Sequence, residues 1–329
     1  MEQKLFPNII GNDRIKKIVA SDILSGRTPH AYILEGPSGS GRYTTALTIC
    51  ASEVCEHRGD SSYPLPCGEC ESCRKILSGY SADVLLTEKS DDKKSIGVEQ
   101  IRPIKSSLYI APNDGAKKFY IIKDSDLLTP EAQNALLLPI EEPPDFVMFI
   151  LVCENSASLL ETVRSRAPIL RMERFSPLYI EEYLRKKYGE SKQDKLSYAA
   201  HLAFGSLGRA CELYEHGADE AKLYKCAEEF LELLLIGKNS DSVVFARNGM
   251  PSERAEVCEV LSLMRFALRD IIAVKKGGEP IFYTSVPTYA KKISINRALK
   301  LYSVISQAED DIAANCTVNT ILTSLVERG

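Results

Sequence analysis

The chain has 329 residues, of which 44% are hydrophobic and 26% are charged. These proportions are typical of a soluble globular protein, and the length is sufficient for two or three domains with separate cores. The formal charge of −4 excludes a uniformly basic surface, so any contact with nucleic acid would be local or shared with partner subunits.

Neither a secretion signal nor a membrane span is evident in the sequence. Residues Met1 to Leu5 lack the apolar core of a signal peptide, and the most apolar run, 146–153, is too short to cross a bilayer. Of the ten cysteines, six lie in apolar contexts where cysteine acts as a small hydrophobic residue. We therefore expect a cytoplasmic protein with no membrane partner and no structural disulfide.

A glycine-rich loop follows the first predicted strand. The apolar run at 31–34 predicts that strand, and helical spacing begins at residue 44. Between them, Gly36 and Gly41 occupy the two glycine positions of a phosphate-binding loop, and Gly39 lies in the same turn. Such a loop binds phosphate through backbone N–H groups at a helix N-terminus. The pattern therefore predicts a phosphate-loop backbone.

The residues that act on ATP in this motif are replaced. Arg42 stands where a lysine reaches the phosphates, and Tyr43 stands where a serine or threonine hydroxyl holds Mg²⁺. After the strand predicted at 118–122, Lys123 stands where a metal-holding aspartate belongs, although this segment also fits a plain solvated turn. Residues 152–154 offer no evident sensor for the γ-phosphate. We therefore expect a degenerate loop that does not bind ATP productively.

Four cysteines form a separate cluster with the spacing C-x11-C-x2-C-x2-C: Cys55, Cys67, Cys70 and Cys73. Two successive C-x2-C steps let one backbone turn present three thiolates to one ion, and the first cysteine completes a tetrahedron. The pattern predicts a structural Zn²⁺ site with no open coordination position. Redox-active cysteines and chance clustering are the alternatives.

Downstream of the cysteines, predicted strands alternate with predicted helices, an order typical of a parallel sheet with helices on both faces. The predicted strands are 84–87, 118–122, 146–152 and 169–172, and the helices between them are 98–108, 130–140 and 159–165. Only helical patterns follow, at 180–187, 195–204, 208–215, 221–235, 252–274 and 296–314. The predicted fold is α/β and then all-α, with boundaries near residues 173 and 213.

Several of these segments together resemble the bacterial clamp-loader subunits of DNA polymerase III, which are AAA+ proteins with a zinc module after the first helix of the phosphate loop. They are the loop at 36–42, the four cysteines, and the runs at 135–144, 165–166 and 205–210. The resemblance implies a P-loop type AAA+ α/β domain at 1–172 with a zinc insert at about 55–79, a helical lid domain at 173–212 and an all-α collar domain at 213–329.

The replaced residues make the chain similar to the member of that family that does not hydrolyse ATP. The resemblance implies a stator in DNA replication that is no enzyme on its own and that assembles with the δ and γ/τ subunits in a hetero-pentamer. Through that complex it would meet the sliding clamp and primed DNA. Ser165 and Arg166 match a motif whose arginine enters a neighbouring subunit's nucleotide site, although Ala167 replaces the motif's cysteine. The resemblance thus implies a trans-acting arginine finger.

Other interpretations of the same residues remain open. Arg166 taken without its surroundings fits a plain surface arginine, and Arg209 matches a nucleotide-sensing position that would be structural or vestigial here. The chain also fits an active ATPase motor subunit of the same loader, γ/τ-like, in which Arg42 substitutes for lysine. A P-loop nucleotide kinase is more distant, because the cysteine insert and the helical final third do not match it.

Overall fold

The computed structural model describes residues 4–90, 93, 95–114, 116–189, 193–216, 218–278, 280, 293–314 and 316–328. The chain divides into two compact units, Met1–Glu173 and Arg174–Gly329. The further boundary expected near residue 213 stays a prediction, and buried apolar side chains from both sides of it belong to one core cluster.

The first unit is an α/β domain built on a five-stranded parallel sheet, as the sequence predicts. The strands are β1 (Ala31–Glu35), β2 (Val84–Thr87), β3 (Lys118–Ile122), β4 (Val147–Cys153) and β5 (Ile169–Arg171). Their order in the sheet is β2-β3-β4-β1-β5, and every neighbouring pair is parallel. Because all five strands are parallel, the loop that follows β1 starts at the carboxyl edge of the sheet, where open α/β sheets bind ligands.

Helices cover both faces of this sheet. They are α1 (Asp13–Ser25), α2 (Arg42–Glu53), α3 (Glu71–Leu77), α4 (Val98–Ser107), α5 (Pro130–Glu141) and α6 (Glu161–Arg164). Successive side chains of β1 point to opposite faces of the sheet, and each face has its own hydrophobic core. Tyr32 and Leu34 belong to the core that includes α1 and α2, and Ile33 belongs to the core that includes α4 and α5. Helix α5 continues through Pro139 and ends just before a double proline, which stops it.

The described residues of the second unit form helices and no strand. The helices are α7 (Pro177–Tyr188), α8 (Gln193–Leu202), α9 (Leu207–His216), α10 (Ala218–Ile236), α11 (Asn239–Asn248), α12 (Arg254–Lys275), α13 (Ile295–Ala313) and α14 (Val318–Arg328). Throughout the described parts of both units, none of the helices has the length and apolar character needed to cross a membrane.

Candidate functional sites

The glycine-rich loop joins β1 to α2. The Gly36 N–H donates to the Cys153 carbonyl at 3.2 Å, which links the loop to the end of β4. A Cβ on Gly36 would lie 2.7 Å from the Cβ of Met172, so a larger residue would displace either Met172, which directly follows β5, or the loop. Gly39 and Gly41 have φ angles of 70° and 85°, in the left-handed region that favours glycine. The loop thus ends at the N-terminus of a helix, where unpaired N–H groups attract anions.

Arg42 folds back against an acidic residue of its own chain. Its side chain is only 9% exposed, and Nη2 lies 3.6 Å from Oε1 of Glu154, which directly follows β4. Within the described part of the chain, Arg42 Nη1 and the Ser40 hydroxyl are buried without a hydrogen-bond partner. A guanidinium is a broad planar group, whereas the lysine of a working phosphate loop is a compact charge. Because Glu154 is already paired with Arg42, its carboxylate competes with any phosphate for this guanidinium.

Tyr43 and Lys123, which the sequence places at the two positions expected to bind Mg²⁺, contact each other. The Lys123 ammonium lies 5.1 Å from the centre of the Tyr43 ring, a cation–π arrangement, and 3.1 Å from Oε2 of Glu88 after β2. An ammonium held between these two positions repels a divalent cation. Burial also raises the pKa of the Cys153 thiol at the end of β4 to about 12, so this thiol stays neutral and offers no anionic metal ligand.

The four clustered cysteines come together as the sequence predicts. Their sulfur atoms all lie within 4.8 Å of one another and all four residues are buried. The sulfurs of Cys67 and Cys73 are 3.9 Å apart. In a tetrahedral site with Zn–S bonds of about 2.3 Å, sulfurs are about 3.8 Å apart, so the donor set fits such an ion. The cluster could therefore hold a metal ion, with Cys55 supplied by the end of α2 and Cys70 by the start of α3.

Backbone donors prepare one of these thiols for metal binding. The N–H groups of Glu69 and Cys70 each donate to the Cys67 sulfur at 3.4 Å. Burial opposes ionisation of Cys67, but these donors, together with hydrogen bonds from the His57 and Cys70 side chains, outweigh it and lower its pKa to about 6. Burial raises the pKa of Cys55 and of Cys73. A bound cation would compensate for the cost of ionising those two buried thiols.

A buried carboxylate anchors the cysteine module to the sheet. Glu53, the last residue of α2, has a side chain that is 2% exposed, and its Oε2 lies 3.0 Å from the Lys117 ammonium beside β3 and 3.7 Å from Nη1 of Arg58. Its other oxygen accepts a hydrogen bond from the Thr28 hydroxyl, just before β1. Sequence patterns did not identify this residue, because its partners are dispersed along the chain.

Arg166 follows the short helix α6 and is held against its own domain. Its Nη1 donates to the Thr162 carbonyl at 2.8 Å and to the Ser165 hydroxyl at 3.4 Å, and its Nη2 donates to Oε1 of Glu141 at 2.9 Å. The Arg166 side chain is 32% exposed and that of Glu141 is 49% exposed. The guanidinium is therefore oriented but accessible, as a group that acts on another molecule must be. The pairing with Glu141 was not predicted from the sequence.

Arg209 belongs to the second unit. Its Nε donates to the Leu202 carbonyl at 3.3 Å, and its backbone N–H donates to the Ser206 hydroxyl at 3.2 Å. These contacts join the start of α9 to the end of α8. A structural role for Arg209 has a physical basis in these bonds, while its nucleotide-sensing role stays a prediction.

Comparison with known proteins points to one family. Residues 11–176 match the sequence model of a family described as "DNA polymerase III, delta subunit". This stretch includes the glycine-rich loop, the four cysteines and Arg166.

Curated relatives include subunits of two kinds. The "DNA polymerase III subunit delta'" of Bacillus subtilis (strain 168) is 26% identical over 95% of this chain and 94% of that protein. The protein of the same description from Yersinia pestis is 38% identical over 43% of this chain and 41% of its own length. The "DNA polymerase III subunit gamma" of Buchnera aphidicola subsp. Schizaphis graminum is 32% identical over 66% of this chain. The chain spans only 59% of the length of that gamma subunit.

Proposed function

Because the chain belongs to the DNA polymerase III delta subunit family, we propose that it is a clamp-loader subunit of delta prime type that does not hydrolyse ATP. Two comparisons support this type: the delta prime relative from Bacillus subtilis matches along nearly its whole length, while the gamma relative matches over 59% of its own.

The contact between Lys123 and Tyr43 carries the proposal. In a working ATPase of this class, a hydroxyl and a carboxylate at these two positions hold Mg²⁺, which neutralises the charge that develops on the phosphates. Here an ammonium lies 5.1 Å from a phenol ring at the same positions. Phosphate binding is weakened as well, since Arg42, at the position of the phosphate-binding lysine, is paired with Glu154 at 3.6 Å. One such change is compatible with a variant mechanism, but the three together argue against hydrolysis.

In the assembly, the subunit would act as a stator. Arg42 and Lys123, which would meet nucleotide or Mg²⁺ in an active subunit, are paired here with Glu154 and Glu88 of their own chain, so these two side chains need no nucleotide to hold them in place. Its contribution to hydrolysis would be Arg166, with Ser165 beside it, entering the nucleotide site of a neighbour. The partners would be the δ and γ/τ subunits in a hetero-pentamer that places the sliding clamp on primed DNA.

The remaining features fit supporting roles in the same AAA+ architecture. The cysteine cluster would hold one structural Zn²⁺, because four thiolates leave no open position for catalysis. Residues 173–212 would form the lid domain, and residues 213–329 the collar domain that closes the ring.

An active motor subunit is the second candidate, favoured by the 32% identity to the gamma subunit from Buchnera aphidicola. The two proposals differ in what they require of the loop at 36–43. A motor needs tight binding of Mg·ATP in the loop, whereas a stator does not.

Titration of the purified chain with fluorescent ATP in the presence of Mg²⁺ tests the proposal. We expect no saturable binding at micromolar nucleotide and no change when Arg42 is replaced by alanine. Saturable, Mg²⁺-dependent binding that the Arg42→Ala variant loses would favour the motor. Co-purification with γ/τ and δ subunits should succeed in either case, so that measurement tests membership of the loader separately.

A further inference from the structure

The pairing of Arg166 with Glu141 joins two elements that are 25 residues apart in sequence. Glu141 is the last residue of α5, and the guanidinium lies at the end of the neighbouring helix α6. Two guanidinium nitrogens are engaged, Nη1 by Thr162 and Ser165, and Nη2 by Glu141. Among the described side chains and carbonyls, none accepts a hydrogen bond from Nε. One edge of the guanidinium is thus fixed in place while another is open to a further acceptor.

The position of Glu141 is not explained by the stability of its own helix. A carboxylate in the last turn of a helix faces the negative end of the helix dipole, which is unfavourable. No basic residue lies in that turn. The adjacent Glu142 is the C-terminal cap and is exposed, and it makes no contact with Arg166 among those described. The contact of the Glu141 carboxylate with Arg166 therefore offers a better explanation of its position than helix stability does.

We propose that Glu141 is a positioning residue, which orients the Arg166 guanidinium for a phosphate group of an adjoining subunit. This inference rests on the proposed function of Arg166. A long arginine side chain without a partner samples many rotamers, and all but one of these are lost when it binds a phosphate, at a cost in entropy. The carboxylate and the Thr162 carbonyl restrict that sampling beforehand. Preorganised charge of this kind acts on the transition state without a reorganisation cost.

The chemistry also limits what Glu141 can contribute. The pair is half-exposed, and a surface ion pair changes an equilibrium by up to about five-fold. Glu141 is therefore expected to adjust the orientation of Arg166 and not to replace it. The carboxylate makes no contact with the phosphate itself, since two anions would repel each other.

The test uses the assembled loader with ATP turnover stimulated by clamp and primed DNA. Glu141→Ala should slow hydrolysis about two- to five-fold at the one site that Arg166 enters, so total turnover should fall by less than it does with Arg166→Ala. The KM for ATP should be unchanged, as expected of a group that acts in the transition state. Glu141→Gln retains a hydrogen-bond acceptor for Nη2 and should recover part of the loss. Glu142→Gln is the matched control and should turn over as the unaltered assembly does. Melting temperature and metal content should be unchanged in all three.

A double-mutant cycle separates positioning from a structural role. If Glu141 acts through Arg166, then Glu141→Ala combined with Arg166→Ala should be no slower than Arg166→Ala alone. An additional loss in the double variant would overturn the inference, as would a faster turnover of Glu141→Ala, which would mean that the carboxylate restrains Arg166. If Arg166→Ala itself has no effect, the proposed function of Arg166 fails. If Arg166→Ala slows turnover but Glu141→Ala does not, only the inference about Glu141 fails.

Discussion

The Lys123 ammonium lies 5.1 Å from the centre of the Tyr43 ring and is paired with Glu88 at 3.1 Å. This contact joins the end of β3 to the first turn of α2 and to the end of β2. In an active P-loop ATPase, Mg²⁺ bound with the nucleotide links the first turn of the helix after the loop to the end of a neighbouring strand. Here the link is part of the folded chain and does not depend on a ligand.

The first prediction is that the isolated chain releases no phosphate from ATP above a no-enzyme control. The physical reason is the combined replacement of the phosphate-binding lysine, the metal-binding hydroxyl and the metal-binding carboxylate by Arg42, Tyr43 and Lys123. The measurement is steady-state phosphate release at saturating Mg·ATP. Release that disappears in the Arg42→Ala variant would contradict the prediction.

A reversal of the three replacements serves as the control. Arg42→Lys, Tyr43→Thr and Lys123→Asp together should restore Mg²⁺-dependent nucleotide binding, whereas Lys123→Asp alone should not. Equal binding by the unaltered chain and the triple variant would show that these positions do not determine nucleotide affinity.

The second prediction is one Zn²⁺ per chain when the protein is purified without added metal. Four buried sulfurs within 4.8 Å of one another form a complete tetrahedral donor set. Cys70→Ser should lose the metal and lower the melting temperature, because metal binding and folding of the module are coupled. Cys226, which lies outside the cluster, provides the matched control, Cys226→Ser. Full zinc content in the Cys70→Ser variant would show that the ligand set is wrong.

The third prediction concerns the protons released when Zn²⁺ binds. The backbone and side-chain hydrogen bonds that lower the pKa of Cys67 from an ordinary 9.0 to about 6 make it a thiolate at neutral pH. The stability that comes from this depressed pKa is complete above pH 9 and is lost as the pH falls through 6. Burial raises the pKa of Cys55 and Cys73, so both release a proton when metal binds.

Calorimetry of Zn²⁺ binding to apoprotein in buffers of different ionisation enthalpy measures that release. At pH 7.5 we expect fewer than four protons per ion. Zinc affinity should therefore already fall with decreasing pH at pH 7.5, and should fall more steeply below pH 6, where Cys67 is protonated as well. Release of four protons would mean that Cys67 is protonated before metal binds.

The sequence predicted those elements of the first unit that are continuous apolar runs. The strands at 84–87 and 118–122 have the predicted bounds, and β4 is displaced by one residue. Strands β3 and β4 are buried along their whole length and are mostly apolar, as is typical of parallel strands with helices on both faces, whereas β2 at the edge of the sheet is only partly buried. Helices α11 and α14 were missed. Helix α11 begins with polar residues, which gives it a weak helical pattern in the sequence. Helix α14 is rich in threonine and valine, which have low helix propensity. Burial of Leu322 and Leu325 in the core of the second unit therefore stabilises α14 more than local propensity does.

The site was predictable only where its residues are close in sequence. The cysteine cluster and the glycine loop each occupy a short segment with a fixed spacing. In contrast, the pairs Arg42–Glu154 and Arg166–Glu141 join residues 112 and 25 positions apart. No periodicity specifies such pairs, because they depend on which strand ends and helix ends the sheet order brings together.

The fourth prediction is that Glu53→Ala destabilises the first unit by about 1–3 kcal/mol. The substitution leaves the Lys117 ammonium and the Thr28 hydroxyl without their buried acceptor. Thermal or urea unfolding with zinc bound measures the change. Glu56→Ala removes an exposed carboxylate from the adjacent segment and should alter the free energy of unfolding by less than about 0.5 kcal/mol. Equal effects of the two substitutions would show that Glu53 does not anchor the module.

The last prediction concerns Arg166. The loop at 36–43 and Lys123 carry the three replacements described above, so any effect on hydrolysis is expected to be exerted on another subunit by a group that is permanently charged. A guanidinium meets this requirement, and that of Arg166 is 32% exposed and held by Glu141 and Thr162. Arg166→Ala should leave folding and zinc content unchanged, because a half-exposed arginine contributes little to the core.

In the assembled loader, Arg166→Ala should reduce clamp- and DNA-stimulated ATP turnover and clamp loading. An arginine finger accelerates hydrolysis by about 10³-fold or more at the site it enters. Hydrolysis at that site would therefore nearly stop, while the other sites would continue. The loss of total turnover would be partial. Arg166→Lys should recover little, because an ammonium lacks the planar fork. Arg171→Ala replaces another exposed arginine of the same unit and should not change turnover. Unchanged turnover and loading with Arg166→Ala would exclude a trans-acting role for this residue.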